Sequence, residues 1–129
     1  MAETTSKRIL VVDDANLVRR FYREALEGAG FEVDEALNGV EALEKLLSDS
    51  FDMVIVDVNM PQMDGLTFLK ALRRQAAPIS SVPALVISTE AGSQDAAAAR
   101  SAGANFYLVK PVRQDTLVEH ATIMCGLPA

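Results

Sequence analysis

The sequence predicts an α/β fold in which a doubly wound, five-stranded parallel sheet lies between two layers of helices. Short β-branched apolar runs alternate with longer stretches of helical period, and Gly, Pro and Asp punctuate the changes. Four of the five apolar runs are nearly unbroken, which is the pattern of strands covered on both faces. With 129 residues, half of them apolar, the chain is sized for one domain over residues 1–129 with its core in about 7–125, and a second domain has no room.

Residues 1–6 are small, polar and without periodicity, and read as a frayed terminus. The first strand is Arg8–Val12. The helix after it carries Val18, Phe21, Tyr22, Ala25, Leu26 and Ala29 at i, i+3, i+4, i+7, i+8 and i+11, with Gly30 as its C-terminal stop. The second strand, Glu32–Ala36, is more polar and suits a sheet edge. Val40, Leu43 and Leu47 mark the second helix, and Met53–Val56 is the third strand. Leu66, Leu69 and Leu72 mark the third helix, with Asp64 as its N-cap and an end before Pro78. Ala84–Ile87 is the fourth strand. The fourth helix, around Ser93–Ala102, is mostly alanine, helical by propensity and poor in packing groups. Phe106–Val109 is the fifth strand, and Leu117, Val118, Ala121 and Met124 line the last helix. Five βα units joined by right-handed crossovers give the strand order 2-1-3-4-5, a flavodoxin-like arrangement whose ligands sit at the carboxyl ends of the strands.

Composition excludes several functions. The net charge of −6, from 18 acidic and 12 basic residues, gives no attraction to nucleic-acid phosphates or anionic lipid, so no nucleic-acid partner is expected. Lys7-Arg8 and the apolar run after them stop at Asp13-Asp14, too short for a signal peptide or a membrane span. A lone cysteine, Cys125, makes neither an internal disulfide nor a thiol zinc site and fits a reducing compartment, so a cytoplasmic protein is expected. The single histidine, His120, has no second ligand near it.

The strand ends carry the chemistry. Asp13-Asp14 follow the first strand, Asp57 the third, Ser88-Thr89 the fourth and Lys110-Pro111 the fifth, all on one edge of the predicted sheet. Three converging carboxylates raise one another's pKa, so a positive charge has to compensate. Lys110 and a divalent cation together balance three carboxylates. All candidate ligands are oxygens, which indicates Mg²⁺, whereas Ca²⁺ would find an incomplete cage. A cation, a lysine, a hydroxyl and a free carboxylate are the parts that phosphoryl transfer needs, and Asp57 can be the nucleophile.

Val11-Val12-Asp13-Asp14, the run Val56-Asp57-Val58-Asn59-Met60-Pro61-Gln62-Met63-Asp64-Gly65, Ser88-Thr89-Glu90-Ala91 and Tyr107-Leu108-Val109-Lys110-Pro111 occur in that order on the corresponding elements. In these motifs the chain resembles the receiver domains of two-component response regulators, from Ile9 to about Met124, and in particular the stand-alone chemotaxis regulators. The resemblance implies that Asp57 accepts a phosphoryl group from a phosphohistidine on a histidine kinase. It implies Mg²⁺ held directly by Asp14, by the Asp57 carboxylate and by the backbone carbonyl of Asn59, with Asp13 acting through a bound water. Lys110 would pair with the phosphate, Ser88 would donate a hydrogen bond to it, and Pro111 would follow a cis peptide bond. Ser88 and the aromatic Tyr107 would form the switch, with the fourth helix as the place where movement shows. Asn59, Thr89 and Glu90 stand where the family tunes the lifetime of its aspartyl phosphate.

Ser88 stands where many members have threonine, and Thr89 is bulkier than the Ala or Gly of many relatives, which narrows access to Asp57. No effector domain follows, so a monomer that binds a downstream protein, such as a flagellar motor switch, is expected. The protein would catalyse only its own phosphorylation and autodephosphorylation. A phosphorelay intermediate or phosphate sink is the alternative within the family. A Mg²⁺-dependent aspartyl-phosphate phosphatase of the haloacid-dehalogenase type is the alternative outside it. That reading needs a second aspartate two residues after the nucleophile and a cap insertion, whereas Asp57 is followed by Val58-Asn59 and no cap is present. Asp13-Asp14 alone would read as a helix-capping pair; Asp57 and Lys110 change that reading.

Overall fold

In the computed structural model, which describes residues 6–128, strands and helices alternate along the described residues. The strands are β1 (Arg8–Val12), β2 (Glu32–Ala36), β3 (Met53–Asp57), β4 (Ala84–Ser88) and β5 (Phe106–Val109). The helices are α1 (Asn16–Gly28), α2 (Gly39–Ser48), α3 (Gly65–Arg73), α4 (Ser93–Ala102) and α5 (Gln114–Met124), with a 3₁₀ turn at Ile79–Ser81. All neighbouring strands pair in parallel, in the predicted order β2-β1-β3-β4-β5.

Alternation along the central strands divides the core into two layers. Leu10, Val12, Val54, Val56 and Val86 pack with Phe68, Leu69 and Leu72 of α3, Ala42 and Leu46 of α2, and Ala99 and Ala102 of α4. Ile9, Val11, Met53, Ile55, Leu85 and Ile87 pack against Tyr22 and Leu26 of α1 and Leu117 and Ala121 of α5. Phe68 is the largest side chain with no exposure, and truncating such a group to alanine costs about 3–5 kcal/mol. Arg73, at the end of α3, ties this layer to the next loops by donating to the carbonyls of Gly103, Ser80 and Val82 at 2.7–2.9 Å.

Four expectations need correction. β5 is not covered on both faces: it forms the sheet edge opposite β2, and Phe106 and Val109 are 45% and 40% exposed. The alanine-rich α4 buries only Ala99 and Ala102, too little side chain to cover the strand beside it. Phe21 lies at the margin of the α1 core face, 43% exposed, while Arg19 is buried there. In α2 the buried face is Gly39, Ala42 and Leu46, and Val40 and Leu47 point outward. Small residues win that position because the helix lies close to Met63, whose Cγ would be 2.8 Å from a Cβ at residue 39. Finally, β3 and β4 run one residue further than their apolar stretches, so Asp57 and Ser88 are strand residues, buried by the ladder itself.

Asp64 caps α3 by accepting from the Thr67 N–H at 2.8 Å, and Gly30, at φ +98°, turns the chain after α1. Most of residues 1–6 lie outside the described residues. Among the described residues no helix is long and apolar enough to cross a membrane.

Candidate metal and phosphoryl-transfer site

The parallel strands deliver Asp13, Asp14, Asp57, Ser88 and Lys110 to one edge of the sheet. One carboxylate oxygen from each of Asp13, Asp14 and Asp57 lies within 4.8 Å of the others. Lys110 Nζ stands 3.4 Å from Asp57 Oδ1 and 3.7 Å from Asp13 Oδ2. The main-chain N–H of Lys110 donates to the Ser88 carbonyl at 2.8 Å, which brings its side chain in from β5, and its peptide bond to Pro111 is cis.

Each acid has a distinct setting. Asp13 is almost wholly buried, Asp57 is buried and Asp14 is exposed. Burial pushes the Asp13 carboxyl above its ordinary range, opposed by the Ala15 N–H and the charges of Lys110 and Arg19. Burial also raises Asp57, the Asp13 charge adds to it, and Lys110 opposes it. The buried hydroxyl of Tyr22 is raised too, first by burial and then by the same two aspartates. The site is therefore a negative pocket that one lysine does not neutralise.

The donor set fits a hard cation. Asp13 Oδ1 accepts from the Ala15 N–H at 2.8 Å, but Asp13 Oδ2 is buried without a hydrogen-bond partner. A buried carboxylate oxygen left unpaired costs of the order of 1–3 kcal/mol or more, and a cation among the three acids satisfies it. All three donors are oxygens, as Mg²⁺ requires.

Asn59, two residues past Asp57, is exposed at the start of a loop that turns back under the site. The Gly65 N–H donates to the Val58 carbonyl at 2.9 Å, and a Cβ at Gly65 would lie 2.4 Å from the Asp57 carbonyl oxygen. Only glycine allows that approach, a role beyond the turn read from the sequence. Ser88 is fully buried, and its Oγ accepts from the Glu90 N–H at 3.1 Å. Thr89 and Glu90 are exposed. Tyr107 is half-buried and its hydroxyl donates to the Glu90 carbonyl at 2.6 Å, beside a cavity of about 50 Å³ that also reaches Ser88 and Val58. An apolar groove of about 500 Å³, lined by Leu17, Phe21, Thr89 and Pro111, opens on the other side of Lys110.

The remaining candidates lie elsewhere. His120 packs edge-to-face on Phe106, 5.5 Å between centroids. Cys125 is buried past the end of α5, and burial first, with Asp52, pushes its thiol up to about 11. Sequence reasoning missed Arg19. Its signal was an arginine one residue along from Val18 on the inward face of α1, with a ready acid on the polar strand β2.

A doubly wound sheet with three clustered acids and an invading lysine at its carboxyl edge defines a domain of the response-regulator type. The chain belongs to the response regulator receiver domain family, whose model matches residues 9–122. It is 38% identical over 121 residues to the chemotaxis protein CheY1 of Helicobacter pylori, covering 92% of this chain and 97% of that protein. The solved chemotaxis response regulator CheY4 of Vibrio cholerae superposes with a TM-score of 0.87 at 37% identity, covering 93% of this chain and 99% of that one. The transcriptional regulatory protein PrrA of Mycobacterium bovis is 41% identical over 107 residues, which is 83% of this chain and 45% of PrrA. Receiver domains are signalling switches and not classical enzymes, and they bind Mg²⁺ at an acidic cluster of this kind.

Proposed function

We propose that this protein is a phosphorylation-activated switch of a two-component system, in which Asp57 takes a phosphoryl group from a histidine kinase and the altered outer face binds a protein partner. The observation that carries the reading is the Asp57 carboxylate, buried at the end of β3, with Lys110 3.4 Å away and Asp13 and Asp14 beside it. Asp14, Asp57 and the Asn59 carbonyl would hold Mg²⁺, with Asp13 acting through a water. Bound there, the ion neutralises charge on the carboxylates and on the phosphoryl oxygens.

An Asp57 oxygen attacks phosphorus, the new P–O bond forms as the P–N bond of the phosphohistidine breaks, and the imidazole leaves with its electron pair and takes a proton. Burial keeps water from solvating the nucleophile, and Lys110 holds a phosphoryl oxygen by charge. Ser88 donates its hydroxyl to another, giving up its bond from the Glu90 N–H. Tyr107 then has the cavity beside Ser88 to enter, which moves the β4–α4 loop it now anchors through Glu90. The energy of the new phosphate contacts is what shifts this equilibrium. Asn59, Thr89 and Glu90 surround the approach of water and set the lifetime of the acyl phosphate.

The chemotaxis relatives support a role in chemotaxis, with a flagellar motor switch as the partner of a monomeric, cytoplasmic regulator. The negative charge is consistent with a protein partner and not with nucleic acid. Incubation with a ³²P-labelled histidine kinase and Mg²⁺ is expected to give an alkali-labile, hydroxylamine-sensitive modification that Asp57→Asn abolishes. Labelling that persists in that variant, or never forms across the kinases of the host, overturns the reading.

A further inference from the structure

Among the described residues the buried polar or charged side chains are Asp13, Asp57, Ser88 and Arg19. Three belong to the site; Arg19 stands one turn into α1. A guanidinium taken out of water is costly unless its N–H groups are met, and here they are met by three acceptors, one of them the Asp13 main-chain carbonyl. One terminal nitrogen donates to the Asp13 main-chain carbonyl at 2.7 Å, the other to Asn16 Oδ1 at 3.0 Å, and Nε donates to Glu35 Oε1 at 2.7 Å. Glu35 is gripped from its other oxygen by Arg23, which also donates to the Val33 carbonyl at 3.1 Å.

The consequence falls on Asp13. Its N–H donates to the Ala36 carbonyl at 3.2 Å, its carbonyl receives Arg19, and its Oδ1 receives the Ala15 N–H. Every polar atom but Oδ2 is spent on fixing the residue, and Oδ2 is the orphan that faces the cluster. We propose that Arg19 is a positioning residue for the cation site: it locks the Asp13–Asp14 turn from beneath, through the main chain, and Glu35 of β2 holds it in place. The inference rests on the reading of the three acids as a Mg²⁺ site. The three contacts use the planar fork of a guanidinium, which a lysine ammonium does not reproduce.

The test is Mg²⁺ affinity, by calorimetry on the metal-free full chain, for wild type, Arg19→Lys, Arg19→Met, Glu35→Gln and Arg20→Met. Both Arg19 variants are expected to bind Mg²⁺ about tenfold to a hundredfold more weakly, the range for loss of an outer partner of a metal ligand. Glu35→Gln should weaken binding less and in the same direction. Arg20→Met, whose side chain is exposed, should match wild type. Phosphorylation of the Arg19 variants should recover at saturating Mg²⁺, and amide exchange at Ala15 should quicken in the metal-free protein. A folded Arg19→Met with wild-type Mg²⁺ affinity and wild-type exchange at Ala15 overturns the proposal. Should the Arg19 variants not fold, wild-type affinity in Glu35→Gln overturns it instead. Wild type that binds no Mg²⁺ refutes the assignment of the cation site, and exchange at Ala15 then decides whether Arg19 holds the turn.

Discussion

Lys110 reaches Asp57 across an intervening strand: Lys110 directly follows β5 and Asp57 ends β3, with β4 between them, yet Nζ and Oδ1 are 3.4 Å apart. Ser88, the last residue of the intervening β4, accepts the lysine's main-chain N–H at its carbonyl. Its ammonium also lies 3.7 Å from Asp13, so one cation serves two buried acids.

Replacing Lys110 with methionine should therefore slow phosphorylation of Asp57 about a hundredfold, the scale on which loss of one preorganised charge contact is felt. Rates of labelling by a small phosphodonor at saturating Mg²⁺ measure it. A variant within twofold of wild type would show that the lysine has no part in the reaction.

Gly65→Ala should destabilise the fold by about 1–3 kcal/mol, because the added methyl meets main-chain atoms of Asp57 and Val58 that cannot swing away. Gly28→Ala is the contrast. A Cβ there meets nothing within 4 Å, and alanine in place of glycine in a helix gains up to about 1 kcal/mol. Urea denaturation of both variants checks the pair, and equal midpoints would remove the claim of a close approach at Gly65.

Acid stability should depend on Glu35. Burial raises its pKa, but the hydrogen bonds from Arg19 and Arg23 outweigh this and hold the carboxyl below its ordinary 4.5. The folded state thus binds the proton less tightly than the unfolded chain. The contribution is complete above 4.5 and is lost as pH falls through the lower folded value. The difference in urea midpoint between wild type and Glu35→Gln should be constant from about pH 8 to about pH 5 and close below about pH 4. A difference that grows on acidification would reverse the sign and refute the argument.

Thr89 lines the groove beside Lys110 and is exposed, placed to narrow the approach of small phosphodonors to Asp57. Thr89→Ala should be labelled faster by acetyl phosphate, with transfer from a histidine kinase changed less. Equal acetyl phosphate rates in the two proteins would discard the steric account.

The legible part of this protein was whatever the chain writes locally. Apolar runs interrupted by helical periods predict five helices and five strands, the strands with bounds within one residue of those observed. Acids, a serine and a lysine placed just past those runs mark the site before any fold is drawn. The approach of Asp57, Asp13 and Lys110 follows from strand order alone, since all parallel strands end at one edge.

What the sequence by itself determined was the element order, the parallel sheet and the identity of the groups at its carboxyl edge. Only tertiary packing decided which face of α2 turns inward, because Gly39 lies under Met63, a residue more than twenty positions away. It alone decided that the faces of β5 stay half-exposed and that Arg19 is an interior residue of α1 held by Glu35 from β2. It alone left one oxygen of Asp13 without a hydrogen-bond partner. Periodicity is a property of neighbouring residues, whereas burial and hydrogen-bond satisfaction are properties of atoms brought together from distant segments, and no local pattern encodes them.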